Sequence, residues 1–237
     1  LGGARLPDRN DGVIGKAVTL DGVDGRVEIA HATSLSPVNN LTLELFVRPA
    51  GVPDCDGGDN WRVLIAKGEP RRSAYSLVLE DDGTVRGHVL TDGSVHRVRS
   101  PEALPTERWT HLALTWAGEA GELSLFADGE RVAQRRFESA TLAGSEAPLR
   151  IGGVEGAASC PTGGGSFAGR IDEVKISSVV RYGEGRPPPR GLEAAGEGAA
   201  GGGCAVAGGR GGTGWASGWA GLLLGWLARR RALATLG

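Results

Sequence analysis

The chemistry-bearing residues of this 237-residue chain are acids and arginines at strand ends and in turns. Asp172 stands in the last apolar run, sharing alternation parity with Val174 and Ile176. In a strand its carboxylate therefore points with them toward the core, where an uncompensated charge is costly. Calcium takes carboxylate and carbonyl oxygens, and the loop Asp21-Gly22-Val23-Asp24-Gly25 is rich in both. Asp172, Asp21 and carbonyls around Gly25 thus form a candidate site for a structural Ca2+ cofactor. The other reading is a carboxylate satisfied by backbone N–H groups or by Arg26, since buried acids are more often hydrogen-bonded than metallated.

A second acidic loop, Asp54-Cys55-Asp56-Gly57-Gly58-Asp59-Asn60, lacks the spacing and terminal glutamate of an EF-hand. Asp56 and Asp59 can hold calcium or a sugar hydroxyl, and Trp61 beside them can stack on a sugar ring; a solvated turn is the plainer reading. Arg86, His88, His96, Arg97 and Arg99 fall on the two strands of one hairpin. They form either a basic stripe for an acidic polysaccharide or a charged face that discourages edge pairing. No catalytic residues are assigned. Sugar hydrolysis needs two carboxylates at defined separation. The nearest acids, Glu80-Asp81-Asp82, form a turn, and neither a Gly-x-Ser-x-Gly elbow nor a His-Glu-x-x-His pair occurs. Gly209, Gly211 and Gly214 match Gly-x-Gly-x-x-Gly, but no strand precedes them.

The elements that must position these groups are strands. Between Lys16 and Ser177 apolar residues recur at a period of two in about a dozen short runs broken by Gly, Pro, Asp or Asn, leaving no place for helix. Asp82-Gly83, Asp92-Gly93 and Asp128-Gly129 supply the positive φ of tight hairpins. Leu112 and Leu114 share one parity and His111, Ala113 and Thr115 the other; Leu123 and Leu125 alternate with Ser124 and Phe126. One face of each strand is therefore core and the other wetter. So many strands in one domain imply an all-β fold of two packed antiparallel sheets. A net charge of -2 gives no global field to attract nucleic acid, so a nucleic-acid partner is excluded.

After Tyr182 the alternation stops. Residues 183-203, dominated by Gly, Pro, Ala and Glu, read as a disordered linker, and 204-237 as a tail. The charge-free run from Gly211 to Ala228 rises roughly 27 Å as a helix, close to a bilayer's hydrocarbon core. Arg229, Arg230 and Arg231 hold its end on the cytoplasmic side, so the domain faces outward. The alternative is a Gly-rich end that does not insert. Cys55 and Cys160 both lie in Gly/Asp/Pro-rich loops. In an exported domain they form a disulfide closing a loop of about 105 residues, worth up to about 4.7 kcal/mol in the chain-entropy account, or else remain two thiols. The chain holds no methionine and begins Leu1-Gly2-Gly3, so it is expected to lack its native start, and a missing signal peptide carries no information.

Gly15-Lys16-Ala17-Val18-Thr19-Leu20-Asp21-Gly22-Val23-Asp24-Gly25-Arg26-Val27-Glu28-Ile29 resembles the opening of a concanavalin A-like, laminin G-like jelly-roll domain. Leu41 to Pro49, Trp109 to Trp116, Leu125-Phe126-Ala127-Asp128-Gly129 and Phe167 to Ile176 follow as its further landmarks. The resemblance covers 1-182 and implies a two-sheet jelly-roll sandwich. Asp172 matches the aspartate that commonly binds structural calcium in related jelly rolls. The Glu-x-Asp-x-x-Glu pattern of the glycanases with this fold is absent. Members often carry one earlier strand, which Leu1 to Asp11 does not clearly supply. The tail resembles the MYXO-CTERM type of bacterial sorting signal, which implies a sorting protease as partner and Cys204 as the processing and lipidation position. Members usually stop at the arginines, whereas this chain runs on to Gly237.

Together these readings describe a non-catalytic, cell-surface binding or adhesion module for an extracellular glycan or protein, held to the envelope by its C-terminus. Trp61, Asp56, Asp59, Arg86 and Arg97 are its candidate ligand residues. The competing reading is an accessory domain of a glycoside hydrolase or other secreted enzyme whose catalytic part lies upstream.

Overall fold

In the structure, a computed structural model describing residues 8–51, 61–68, 72–154 and 165–183, the alternating runs become strands. They are β1 (Asp8–Asp11), β2 (Lys16–Asp21), β3 (Val27–Ile29), β4 (Asn40–Pro49), β5 (Trp61–Lys67), β6 (Tyr75–Glu80) and β7 (Thr84–Leu90). After them come β8 (Val95–Ala103), β9 (Thr110–Ala117), β10 (Glu122–Ala127), β11 (Glu130–Arg136), β12 (Leu149–Ile151) and β13 (Ala168–Ser177). The helical content of the described residues is a 3-10 turn at Thr33–Leu35. No helix among them is long and apolar enough to cross a membrane. Cys55, Cys160, Cys204, Asp56, Asp59, the linker from Glu184 and the tail lie outside the described residues.

The strands form two antiparallel sheets, seven-stranded in the order β1-β2-β13-β4-β9-β10-β11 and six-stranded in the order β3-β12-β5-β6-β7-β8. Leu41, Leu43, Leu45 and Val47 of β4 and Leu112, Leu114 and Trp116 of β9 pack against Ile65, Tyr75, Leu77, Leu79, Val85 and Val89 of the facing sheet. This is the sandwich that a period of two dictates when each sheet has one apolar face. Asp82-Gly83, Asp92-Gly93 and Asp128-Gly129 connect β6 to β7, β7 to β8 and β10 to β11. Asp128 and Gly129 both have positive φ, 47° and 86°, as a two-residue hairpin turn requires.

Three expectations are corrected. The early strand is present: β1, Asp8-Arg9-Asn10-Asp11, pairs with β2 from Asp8↔Thr19 to Asp11↔Lys16. Its ladder is made by backbone groups, so its four polar residues carry no alternation to announce it.

The outer face of the seven-stranded sheet is not wet at its centre. His111, Ala113, Thr115, Ser124 and Phe126 are all buried. Tyr182 packs with Ala113 and Phe126, and Thr42 of β4 accepts from Arg181 N and donates to Val179 O, so the segment after β13 lies across this face as a strap.

Asp172 points the other way from Val174 and Ile176. The register runs Ile171↔Val47 and Asp172↔Phe46, then resumes at Lys175↔Glu44, because a bulge separates Asp172 from Lys175. Glu173 sits in it with φ 49°. One extra residue reverses every later parity.

Candidate functional site

The outward residues of β5 to β8 make a depression on the six-stranded sheet. Tyr75, Leu77 and Leu79 turn inward from β6, so Ser76 and Val78 turn out; Val85 and Val89 turn inward from β7, so Arg86 and His88 turn out. In β5 a bulge between Val63 and Ile65 lets Trp61, Val63 and Ala66 share the outer face. With Val78 and Val154 these three form a separate apolar cluster outside the main core. The resulting cavity of about 200 Å³ is lined by that cluster together with Ser73, Ser76, Arg86, His88 and Arg97.

His88 is the buried polar centre of the pocket, 6% exposed. Its Nε2 lies 3.1 Å from the Ser73 carbonyl oxygen and 2.8 Å from Ser73 Oγ. A carbonyl only accepts, so Nε2 carries the proton, and Nδ1 accepts from Ser76 Oγ at 2.9 Å. Burial holds the imidazole down to about 4, assisted by the charges of Arg86 and Arg97, so at neutral pH it is uncharged.

The two arginines differ. Arg86 lies over the Trp61 ring, 5.8 Å from its centroid, and pairs through Nε with Glu80. Burial pushes the Glu80 carboxyl up, opposed by the charges of Arg86 and Arg99. Arg97, opposite His88 in the ladder, is exposed, and among the described residues it pairs with no carboxylate. Arg99 turns to Asp82 and to Thr84 Oγ1, the latter at 2.7 Å. Of the five residues of the basic stripe, His96 is turned away: it stacks on Trp116 at 5.6 Å, inside the sandwich.

The structure therefore brings Trp61, Arg86 and Arg97 together. At 7% exposure and with Arg86 over it, Trp61 is a wall of the pocket rather than an open stacking platform. Ser73, Ser76, Val63, Ala66, Val78 and Val154 were not singled out from the sequence; the outward parity of β6 was the available signal for Ser76 and Val78.

The proposed calcium ligands are not brought together. Asp21 pairs with Ala168, four residues from Asp172 along β13, which separates the two by about 13 Å at the usual strand rise. Asp21 Oδ1 accepts from Val23 N at 3.0 Å and Gly25 N at 3.2 Å, and these bonds, the Val23 one foremost, hold its carboxyl below the usual range. Asp172 Oδ2 accepts from Ile14 N at 3.0 Å and Oδ1 from Glu173 N at 2.9 Å. Backbone N–H groups thus bond both oxygens of Asp172, as the hydrogen-bonded reading of this carboxylate has it, and no group of three or more His, Cys, Asp or Glu among the described residues is disposed to hold a metal.

A second buried polar cluster sits under the strap. Glu44, 3% exposed, accepts from the Tyr182 hydroxyl and lies 3.5 Å from His111 Nε2 and 3.2 Å from Arg181. Burial alone would raise the Glu44 carboxyl; the bonds from His111 and Tyr182 and the Arg181 charge outweigh it and hold the group below its ordinary value.

The sequence model described as "Concanavalin A-like lectin/glucanases superfamily" matches residues 21–184. No match is found among the curated proteins. Among solved structures, domain 4 of AbnA, a GH43 extracellular arabinanase from Geobacillus stearothermophilus in complex with arabinotriose, is 23% identical, with a TM-score of 0.54 over 74% of this chain and 75% of that one. The Ruminococcus gnavus IT-sialidase CBM40 bound to α2,3 sialyllactose is 17% identical, with a TM-score of 0.53 over 69% and 90% of the two chains. Mouse laminin α1 domains LG4-5 are 18% identical, with a TM-score of 0.52 over 76% and 48%. At these identities the likeness is one of fold.

Proposed function

The chain belongs to the concanavalin A-like lectin/glucanases superfamily, and on that premise we propose that it is a non-catalytic module that binds an extracellular carbohydrate in the pocket walled by Trp61, Arg86, His88 and Arg97. The observation that carries this reading is the pocket itself, an apolar floor with a few convergent polar groups, the usual composition of a small-ligand site. About 200 Å³ is below the roughly 300–1,000 Å³ of drug-sized sites, so one sugar ring or chain end fits rather than a long stretch. Glu80 is engaged by Arg86 and both His88 nitrogens by serines, so the titratable groups here are disposed to hold shape rather than to exchange protons with a substrate. Related folds solved with arabinotriose and sialyllactose lend support, and they suit equally an accessory domain beside an upstream enzyme.

The experiment is a glycan array probed with the full chain, with and without calcium, beside a Val154→Trp variant that fills the pocket from its apolar floor. Binding to a defined glycan class that the variant loses supports the reading. Binding that survives the variant, or an array with no bound glycan, contradicts it.

Display at the cell surface is the second part of the proposal. It rests on the tail, with Cys204 as processing position, the apolar run and the three arginines. The strap that ends the described domain lies on the outer face of the seven-stranded sheet, opposite the sheet that carries the pocket. Fractionation of native cells that finds the protein wholly in the cytosol contradicts this part.

A further inference from the structure

We infer that the pocket selects a sugar bearing an anionic group, a carboxylate or a sulfate, which Arg97 receives while the ring lies against Val63, Val78 and Val154. The inference rests on the binding reading above and narrows it to a ligand class. Three observations carry it.

The first is charge. Three outward arginines stand on β7 and β8, and two have acids of their own: Arg86 has Glu80 and Arg99 has Asp82. Arg97 lines the cavity and has no such partner, so among the described residues the pocket carries one uncompensated positive charge. A neutral ligand covering that guanidinium would desolvate it without replacing its water; an anion replaces it with charge-assisted bonds in a matching fork.

The second is the direction of the hydrogen bonds. With the proton on Nε2, His88 donates to Ser73, and Ser73 Oγ at 2.8 Å acts as an acceptor, which leaves the Ser73 hydroxyl hydrogen free to point into the cavity. Ser76 spends its hydrogen on Nδ1. The described lining therefore offers donors, the Arg97 fork and the Ser73 O–H, and among the described residues it includes no carboxylate; Glu80, which Arg86 occupies, lies outside it. A donor-rich lining asks for an acceptor-rich ligand group.

The third is size and floor. Val63, Val78, Ala66 and Val154 supply an apolar surface beside these donors, in a space of about 200 Å³. A bare inorganic anion leaves that floor unused, whereas an acidic sugar brings a C–H face to it along with its charge.

Isothermal titration of the full chain with matched probes tests this: glucuronate and galacturonate for carboxylates, galactose 6-sulfate for sulfate, and glucose and galactose as neutral counterparts. At least one anionic probe is expected to bind about tenfold or more tightly than its neutral counterpart, with affinity falling as salt rises. Arg97→Gln, at an exposed position, should bring that probe to the neutral level while circular dichroism stays unchanged. The bound anion should also raise the titration midpoint of His88 followed by NMR, a readout a merely structural arginine would not move. Equal binding of neutral and anionic probes, lost together in Val154→Trp, overturns the anionic assignment and leaves the pocket standing. Binding by no probe, or binding that Val154→Trp does not affect, overturns both. A preference for the carboxylate or the sulfate member says which source of the anion is used, and either supports the inference.

Discussion

The guanidinium of Arg86 lies over the ring of Trp61, 5.8 Å from its centroid, while its Nε meets the half-buried carboxylate of Glu80. One side chain thus closes the pocket wall and neutralises the acid behind it. Arg86→Gln leaves Glu80 in a site that already pushes its carboxyl up through burial. The pair lies between the exposed and the fully buried case, so the loss is expected to be about 1–2 kcal/mol in urea unfolding at pH 7. Glu80→Gln in the same background should recover part of it; no recovery would mean that the two side chains do not act as a pair.

His88 makes the fold acid-sensitive in a defined window. Its imidazole is ordinarily near 6.5 and is held near 4 by burial, so between these values the unfolded chain binds the proton that the folded chain refuses. Stability is then complete above pH 6.5, falls as pH drops toward 4 and changes no further from this group below that, a loss of about 3 kcal/mol. Glu44, held below its ordinary value, loses its contribution in the same direction at lower pH. His88→Gln separates the two: its unfolding temperature should be flatter than that of the parent between pH 6.5 and 4. Parallel curves would contradict the assignment of a neutral, buried His88.

Tyr182→Phe tests the strap. The phenol donates to Glu44, and without it a carboxylate at 3% exposure keeps, among the described residues, His111 and Arg181. About 1–3 kcal/mol should be lost in urea unfolding, with faster amide exchange at Ala113 and Phe126 beneath the ring. Unchanged exchange there would place the strap's contribution elsewhere.

Asp172 is a hydrogen-bond anchor for the turn before β2. A methyl group on Gly12 would lie 2.3 Å from Asp172 Oδ2 and 2.8 Å from Ala17 N, a backbone atom that cannot step aside. Gly12→Ala and Asp172→Asn should each cost about 1–3 kcal/mol, by the same amount in excess calcium and in chelator. A cost for Asp172→Asn that appears in calcium alone would restore a metal at this residue.

The chain expectation for Cys55 and Cys160 gains a rationale from the ladder. Arg62 and Gly165 form a parallel bridge, with Gly165 N donating to Trp61 O at 2.7 Å, so Arg62, seven residues after Cys55 in sequence, adjoins Gly165, five residues after Cys160. We propose the disulfide on that ground, and a thiol assay of the exported protein is expected to find Cys55 and Cys160 unreactive until reduction. Two titrating thiols at those positions would contradict it.

The sandwich was legible because its core strands alternate without interruption: Leu41 to Val47 and Leu112 to Trp116 place every second residue in one core, and the Asp-Gly turns state their hairpins. β1 was illegible because its four polar residues carry no apolar alternation, while its pairing with β2 is a backbone ladder. Asp172 was misread because parity is a local rule and the bulge at Glu173 interrupts it. The site was half legible. Trp61, Arg86 and Arg97 declared themselves by type, while Ser73 and Val154 lie in connections that carry no period. The buried outer face around His111 was hidden because its cover, Tyr182, is far away in sequence.

The central claim is that the outer face of the six-stranded sheet is where a sugar binds. The most direct test is an NMR titration of the isotope-labelled full chain with the best glycan from the array. Shifts should concentrate at Trp61, Ser73, Ser76, His88 and Arg97 and saturate with a single affinity. Shifts confined to the seven-stranded sheet around Glu44 and His111, or to the Asp21 to Gly25 turn, would contradict it.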